Sequence, residues 1–157
     1  MTDERSADVV RVLAGRKKHG APVFEDVPAV ECDGARYVLT GSPGLALGAA
    51  AGDTIVVHGD ATFDVVERGG NLAVQVFADR FDEGSLGELV AEIEQLGGRL
   101  DGGQDRLRVF TVPVSAGFGA VEAAFDRYVR LQPGAEWYFG NVYDERDGVT
   151  PLNWWAS

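Results

Sequence analysis

Short runs of alternating apolar and polar residues fill the first half of the chain. They are rich in valine and threonine and are separated by glycine and aspartate, which is typical of β-strands joined by turns. The runs cover residues 27–30, 36–40, 54–58 and 62–68. Because no covering helix is predicted between residues 21 and 70, we expect these strands to form a small β-barrel, closed or half-closed.

Strands and helices are mixed in the second half. Strands are predicted at residues 72–78, 99–104, 107–114 and 136–143. The segment Ser85-Leu86-Gly87-Glu88 resembles a capping box and opens a first helix that ends at Gly97. A second helix opens at Ser115 or Gly117 and ends before Pro133. The order β-α-β-β-α-β is that of a ferredoxin-like unit, so the predicted class is α+β.

These elements divide the chain into four parts. We predict a basic, loose lead-in over residues 1–20 with a short helix near Val9, a barrel over 21–70, a ferredoxin-like unit over 71–143 and a tail over 144–157 that packs on the body. Two helices cover only one face of a four-stranded sheet. The barrel, the tail or a partner is expected to cover the other face.

The charge of the chain is acidic and unevenly distributed. Its formal net charge is −11, and residues 1–20 carry five basic and three acidic groups, which leaves nine basic and 22 acidic groups in the rest. Such a field repels phosphate backbones and attracts basic partners. We therefore expect no nucleic-acid partner, and solubility alone is the alternative explanation of the charge.

Location and redox chemistry are constrained by what the chain contains. No apolar run approaches the roughly 20 residues that span a bilayer, and the first residues have no apolar signal core. Cys32 is the one cysteine, so no internal disulfide forms. We expect a cytoplasmic protein with no membrane association.

The titratable residues predict no catalytic, metal or cofactor site. Cys32 lies between Glu31 and Asp33, whose carboxylates raise the pKa of a thiol and make it less reactive. His19 and His58 have no spacing that pairs them with a nucleophile or with further metal ligands. We therefore do not expect an enzyme, and a hydrolase or transferase that uses Asp and Tyr residues is the least favoured hypothesis.

Two features indicate a partner surface. Six acidic groups and one arginine lie within residues 79–94, and no base compensates the Glu88 and Glu92 pair one helical turn apart. Six of the fifteen aromatic residues lie in the last 21 positions, where Trp137 and Phe139 suit the core of the last strand. The candidate partner-binding residues are Asp82, Glu83, Glu88, Glu92, Trp154 and Trp155. A solvated helix face is the alternative for the carboxylates.

Four segments carry a resemblance to a known family. They are residues 48–57, 69–74, 97–98 and 110–113, with the sequences GAAAGDTIVV, GGNLAV, GG and FTVP. In that order and spacing they resemble DUF4265, an uncharacterised bacterial family catalogued as a domain of unknown function. The resemblance covers about residues 22–143, and the aromatic C-terminal tail looks like a subfamily elaboration. The family brings no established activity, so it implies no site residues.

Two functions remain open at this point. The first is an acidic cytoplasmic protein-binding module, of the immunity or antitoxin type, that masks a basic protein partner; a homodimer is also open. The second is a regulatory domain that binds a small molecule between the barrel and the sheet. The residues expected to orient that ligand are Tyr138, Asn141, Tyr143 and Asn153.

Overall fold

The computed structural model describes residues 8–156 as a mixed α+β chain, which confirms the predicted class. Its strands are β1 (Val9–Arg16), β2 (Pro22–Asp33), β3 (Arg36–Leu39), β4 (Thr54–Val57), β5 (Phe63–Glu67), β6 (Asn71–Phe77), β7 (Arg99–Gln104), β8 (Leu107–Pro113) and β9 (Glu136–Phe139). Its helices are α1 (Glu83–Gln95) and α2 (Phe118–Leu131). The paired strands of both sheets are antiparallel.

The first sheet contains β1 to β5 in chain order, so β1 and β5 are its edges. The backbone N–H of Leu13 in β1 donates to the carbonyl of Ala61, just before β5, at 2.8 Å. The two edge strands do not pair beyond this contact, and the sheet is not a closed barrel. A bulge shifts the register of β1 between Leu13 and Gly15, and bulges bend a strand out of line with its neighbour.

The N-terminal segment is a strand and not the predicted short helix. Val10 and Val12 are buried in the first core, whereas Val9 is exposed. Side chains that alternate between core and solvent have the period of a strand, and pairing with β2 reinforces it. The predicted lead-in also included residues 1–7, which lie outside the described residues.

The second sheet has the order β7-β8-β6-β9, with α1 and α2 packed on one face. β6 is central, and Val74 pairs with Phe110 of β8 on one side and with Phe139 of β9 on the other. Leu72, Val74 and Val76 point into the core beneath the helices. Since β6 is paired on both sides and covered on both faces, nearly all of its residues are buried, and these include the polar Gln75.

Helix α1 begins three residues earlier than the capping box predicts. Asp82 is the N-cap, and its carboxylate accepts from the backbone N–H of Ser85 at 2.9 Å. An aspartate satisfies the unpaired N–H groups of a first turn as well as a serine does, and its charge suits the positive end of the helix. The predicted capping box from Ser85 to Glu88 therefore lies inside the helix.

The loop between β3 and β4 covers the other face of the second sheet. Thr111 of β8 donates to Asp101, so the hydrogen bond of 2.6 Å between the Ser42 and Thr111 hydroxyls has Ser42 as donor. The Ser42 hydroxyl in turn accepts from the backbone N–H of Ala51 at 3.0 Å. Of the three predicted covers, a loop of the first unit thus takes this place, and it joins the two sheets.

Candidate functional site

A buried carboxylate organises the junction between the two sheets. Asp53 is 1% exposed, and its two oxygens accept from the backbone N–H of Ala50 at 3.0 Å and of Gly69 at 2.8 Å. The Arg68 guanidinium lies 3.5 Å away. Burial raises the pKa of the Asp53 carboxyl, and the two backbone donors and Arg68 oppose this shift. All its polar contacts lie within the chain, which makes the residue a structural one.

The asparagines of the family-like segment and of the aromatic stretch continue this junction. Asn71 donates to the Ala51 carbonyl at 2.8 Å. Asn141 accepts from the backbone N–H of Ala73 at 2.9 Å and donates to the Asn71 carbonyl at 2.9 Å. The Asn141 side chain is therefore engaged by the backbone around β6. It is not available to orient a ligand as the second hypothesis expects.

The C-terminal tryptophans pack on their own chain and are half-buried. The Trp154 indole donates to the Asn141 carbonyl at 2.8 Å, and Arg68 lies over its ring at 5.4 Å from the centroid. The Trp155 ring meets Phe118 edge to face, with 5.1 Å between centroids. Both rings thus seal the end of the core around the start of α2, and each leaves one part exposed.

A groove lies between α2, β9 and the turn after β9, and the loop between β3 and β4 forms its opposite side. Its volume is about 500 Å³. Leu47, Tyr138 and Tyr143 line it with large apolar surfaces that are 39%, 51% and 41% exposed. Four carboxylates also line it, and we call it the acidic groove. They are Glu122, Asp126, Asp144 and Glu145.

A second cleft of about 560 Å³ adjoins the acidic groove, and we call it the strand-edge cleft. It lies between the edges of the first sheet, with residues 13–15 on the β1 side and 62–65 on the β5 side. The two cavities have walls in common. The shared residues are Leu47, Tyr143, Asp144 and Glu145. Together they form one concave surface that runs from the edge of the first sheet to α2.

The four carboxylates of the acidic groove differ in their surroundings. Arg146 donates to both oxygens of Asp144, at 2.7 and 3.1 Å, and lowers the pKa of that carboxyl to about 2. Asp126 accepts from the Trp137 indole at 2.8 Å. Within residues 8–156, Glu122 and Glu145 have no ion-pair partner. Their charges are therefore available to a cationic ligand.

The residues predicted to bind a partner are dispersed. Asp82 caps α1, and Glu83 and Glu88 are exposed on that helix. Glu92 forms an ion pair with Arg127 of α2, so the expectation that no base compensates it is wrong. The space between α1 and α2 has a volume of about 30 Å³, room for about one water molecule and no side chain.

The tryptophans are also remote from the acidic helix. Trp155 contacts Phe118 at the first turn of α2, whereas Arg127, the partner of Glu92, lies nine residues further along that helix. At 1.5 Å per residue this separation is about 13 Å. The carboxylates of α1 and the two tryptophans do not form one patch.

Two of the four residues predicted to orient a small ligand do come together. Tyr138 and Tyr143 line the acidic groove, while Asn153 is exposed in the final turn and Asn141 is committed to the backbone. Sequence reasoning missed Glu122 and Asp126. A usable signal was present, because their spacing of four places both carboxylates on one face of α2.

The cysteine and one of the two histidines singled out in the sequence lie on the surface. Cys32 is exposed near the end of β2, and His58 pairs with Asp64 at 2.8 Å on the surface. In the described part of the chain no three His, Cys, Asp or Glu side chains are grouped so that they could hold a metal ion. None of the helices between residues 8 and 156 is long and apolar enough to cross a membrane.

Comparison with known proteins identifies the family. The model of DUF4265, a domain of unknown function, matches residues 25–135, so the chain belongs to this family, as its motifs predict. None of the curated proteins matches the sequence. The fold is similar to that in the crystal structure of a hypothetical protein from Neisseria gonorrhoeae, with a TM-score of 0.65 and 14% identity over 84% of this chain and 92% of that one.

Proposed function

We propose that the protein is a binding module for a basic protein partner, of the kind that an immunity protein or antitoxin forms with the protein it masks. The observation that carries this proposal is the acidic groove. It combines exposed tyrosine and leucine side chains with four carboxylates, three of which have no ion-pair partner in residues 8–156. Aromatic anchors beside complementary charge are the usual components of tight interfaces.

The net charge of −11 supports the same conclusion. A field of one sign steers a partner of the opposite sign and raises the rate of association. The groove then provides the short-range contacts that a diffuse field lacks. The proposed site differs from the one that the sequence predicts on α1, although both attract the same class of partner. A cytoplasmic location is part of the proposal and fits a chain with one cysteine.

The proposed architecture of the module is a half-open barrel followed by a ferredoxin-like unit. The order β7-β8-β6-β9 with two helices on one face supports the second assignment. The contact between Leu13 and Ala61 supports the first, because it brings the edge strands towards each other at one end. In this arrangement the acidic groove lies where the two units meet, a common position for binding sites.

Affinity purification with charge-reversed variants tests the function and its location. Glu122→Lys/Glu145→Lys reverses two charges in the acidic groove, and Glu88→Lys/Glu94→Lys reverses two exposed charges on α1. Each pair raises the net charge from −11 to −7, because every substitution adds two units. We expect a basic protein from the source bacterium to be retained by the wild type and the α1 variant, and lost from the groove variant.

The other outcomes are equally informative. Loss from the α1 variant alone would move the interface to the helix that the sequence predicts. Recovery of nothing but a second copy of the chain from all three proteins would reject the proposed function. Retention that is insensitive to salt would also contradict it, since attraction between exposed charges is screened by ions.

A small cationic molecule is the second candidate occupant, and one observation favours it. Tyr138 and Tyr143, two residues predicted for such a ligand, face the same groove between the two units. A thermal-shift screen of amines and other cations tests this candidate, because a ligand that binds the native state raises its melting temperature. No stabilisation at millimolar concentrations would reject it.

A further inference from the structure

The acidic groove and the strand-edge cleft form one continuous surface with a defined chemistry. Carboxylates occur along all of it: Asp64 in the cleft, Glu122 and Asp126 in the groove, and Asp144 and Glu145 in both. The two cavities adjoin at the four residues that line both. One cation, Arg68, also lines the cleft, but carboxylates outnumber it, so a ligand that spans both cavities is expected to be extended and positively charged.

We propose that this surface binds an extended, arginine-bearing segment of the partner, with an arginine side chain between the tyrosines of the acidic groove and the flanking backbone in the strand-edge cleft. The inference rests on the proposed function and names the chemistry of the occupant. An extended segment fits because the cleft is bordered by the edges of β1 and β5, which meet through one hydrogen bond, from Leu13 to Ala61, and are otherwise unpaired. Such edges accept an additional chain through backbone hydrogen bonds.

Arginine suits the groove better than lysine for two reasons. A planar guanidinium stacks on aromatic faces, and Tyr138 and Tyr143 expose such faces in the groove. A guanidinium also binds a carboxylate through two parallel hydrogen bonds, which an ammonium group does not. The chain itself shows this second geometry, since Arg146 binds both oxygens of Asp144 at the groove.

The uncompensated carboxylates determine where the bound arginine would lie. Asp144 is already neutralised by Arg146, and Asp126 accepts from Trp137. The indole is neutral, so Asp126 keeps its charge, and within residues 8–156 three carboxylates of the groove have no ion-pair partner: Glu122, Asp126 and Glu145. A guanidinium bound in the groove would compensate part of this negative charge. Occupancy by a neutral peptide would leave all three carboxylates uncompensated.

Titration with defined peptides tests the inference without any natural partner. The probes are hexa-arginine and hexalysine, each with an acetylated N-terminus and an amidated C-terminus. Calorimetry at physiological ionic strength measures how tightly each peptide binds. We expect hexa-arginine to bind roughly fivefold more tightly than hexalysine, because stacking and bidentate pairing favour the guanidinium. Tyr143→Leu keeps an apolar side chain but removes the aromatic face, and we expect it to abolish most of this preference.

Three single-charge variants separate a specific site from general attraction. Glu122→Gln lies in the groove, Asp64→Asn in the strand-edge cleft and Glu88→Gln on α1, and each removes one negative charge. We expect the first two to weaken hexa-arginine binding roughly threefold and the third to have little effect. Thermal melts monitored by circular dichroism verify that each variant is folded.

The inference is overturned if hexa-arginine does not bind, if both peptides bind equally, or if Glu88→Gln weakens binding as much as the other two substitutions. An effect of Glu122→Gln without one of Asp64→Asn would overturn the extended mode of binding. These failures are distinct from failure of the proposed function. The peptide titration examines one surface of the purified protein, whereas the affinity purification examines whether a basic partner exists.

Discussion

Gly69 lies against the backbone of Gly52 so closely that a Cβ atom on Gly69 would come within 2.4 Å of the Gly52 carbonyl carbon. The contact joins the segment that precedes β4 to the segment that precedes β6. Asp53 follows Gly52 directly and accepts a hydrogen bond from the Gly69 backbone. Two of the segments that carry the family resemblance therefore meet in space, and their glycines allow close backbone packing.

Gly69→Ala should destabilise the protein by about 3 kcal/mol, because neither backbone can move away without breaking the contacts of Asp53. Gly59→Ala is the matched control, since a Cβ at Gly59 meets no atom within 4 Å. Urea denaturation of both variants measures the difference. Similar midpoints for the two variants would show that the junction tolerates a methyl group.

Ser42→Ala should lower the free energy of unfolding by about 1–2 kcal/mol. The substitution leaves the buried N–H of Ala51 without its acceptor and removes the donor to the Thr111 hydroxyl. Ser115→Ala, at an exposed position, serves as the control and should change stability little. Chemical denaturation checks the prediction. Equal effects of the two substitutions would show that the Ser42 hydroxyl does not stabilise the interface between the sheets.

Asp53→Asn should cost about 1–3 kcal/mol, because an amide nitrogen replaces one of two oxygens that accept backbone hydrogen bonds. The cost should depend on pH. Burial raises the pKa of the Asp53 carboxyl in the folded protein above its ordinary value of 3.8. At a pH between 3.8 and the raised pKa, Asp53 is therefore mostly ionised in the unfolded chain but mostly protonated in the folded one. The contribution of Asp53 to stability is thus greatest below pH 3.8 and declines as the pH rises.

Unfolding free energies of the wild type and Asp53→Asn measured from acid to neutral pH check this sign. The difference in unfolding free energy between the wild type and Asp53→Asn should become smaller as the pH rises through the raised pKa of Asp53. A difference that stays constant would show that burial does not shift this carboxyl. A difference that widens would show a lowered pKa, governed by Arg68 and the backbone donors.

Arg146→Gln should raise the pKa of Asp144 from about 2 towards 3.8, because the guanidinium that holds the charged carboxylate is removed. In the wild type, the lowered pKa stabilises the native state above pH 3.8, and this contribution is lost as the pH falls towards 2. Carboxyl carbon chemical shifts followed by NMR measure both values. Arg130→Gln makes the same charge change at an exposed position of α2 and should leave the pKa of Asp144 unaltered.

The elements of the second sheet were predictable because their signals are local. Leu89 and Ile93 lie four residues apart on the buried face of α1, and Val121, Phe125 and Tyr128 recur at spacings of four and three on α2. Such spacing has a helical period that any neighbouring sheet can bury. The start of α1 was misplaced for an equally local reason, since Asp82 and Ser85 are both good N-caps and only the backbone contact selects between them.

The strand at the N-terminus shows where local signals fail. The residues from Val9 to Leu13 allow either a helix or a strand by spacing alone. Pairing with β2, over a dozen residues later in the chain, makes the choice by supplying hydrogen bonds and a buried face for Val10 and Val12. The gap between β1 and β5 is likewise beyond local signals, because it depends on how five strands are arranged in one sheet.

The sequence by itself determined the α+β class, the family, the acidic character and the positions of most strands and helices, because periodicity, turn residues and charge are properties of neighbouring residues. The tertiary structure decided which residues meet. Leu47, Glu122 and Tyr143 are far apart in the chain and nothing in the sequence around them predicts that they meet, yet they line one groove. Glu92 has no compensating base one helical turn away in the sequence, but in the folded chain it forms an ion pair with Arg127. Such contacts depend on long-range packing, and the local preferences of residues for helix, strand or turn do not predict them.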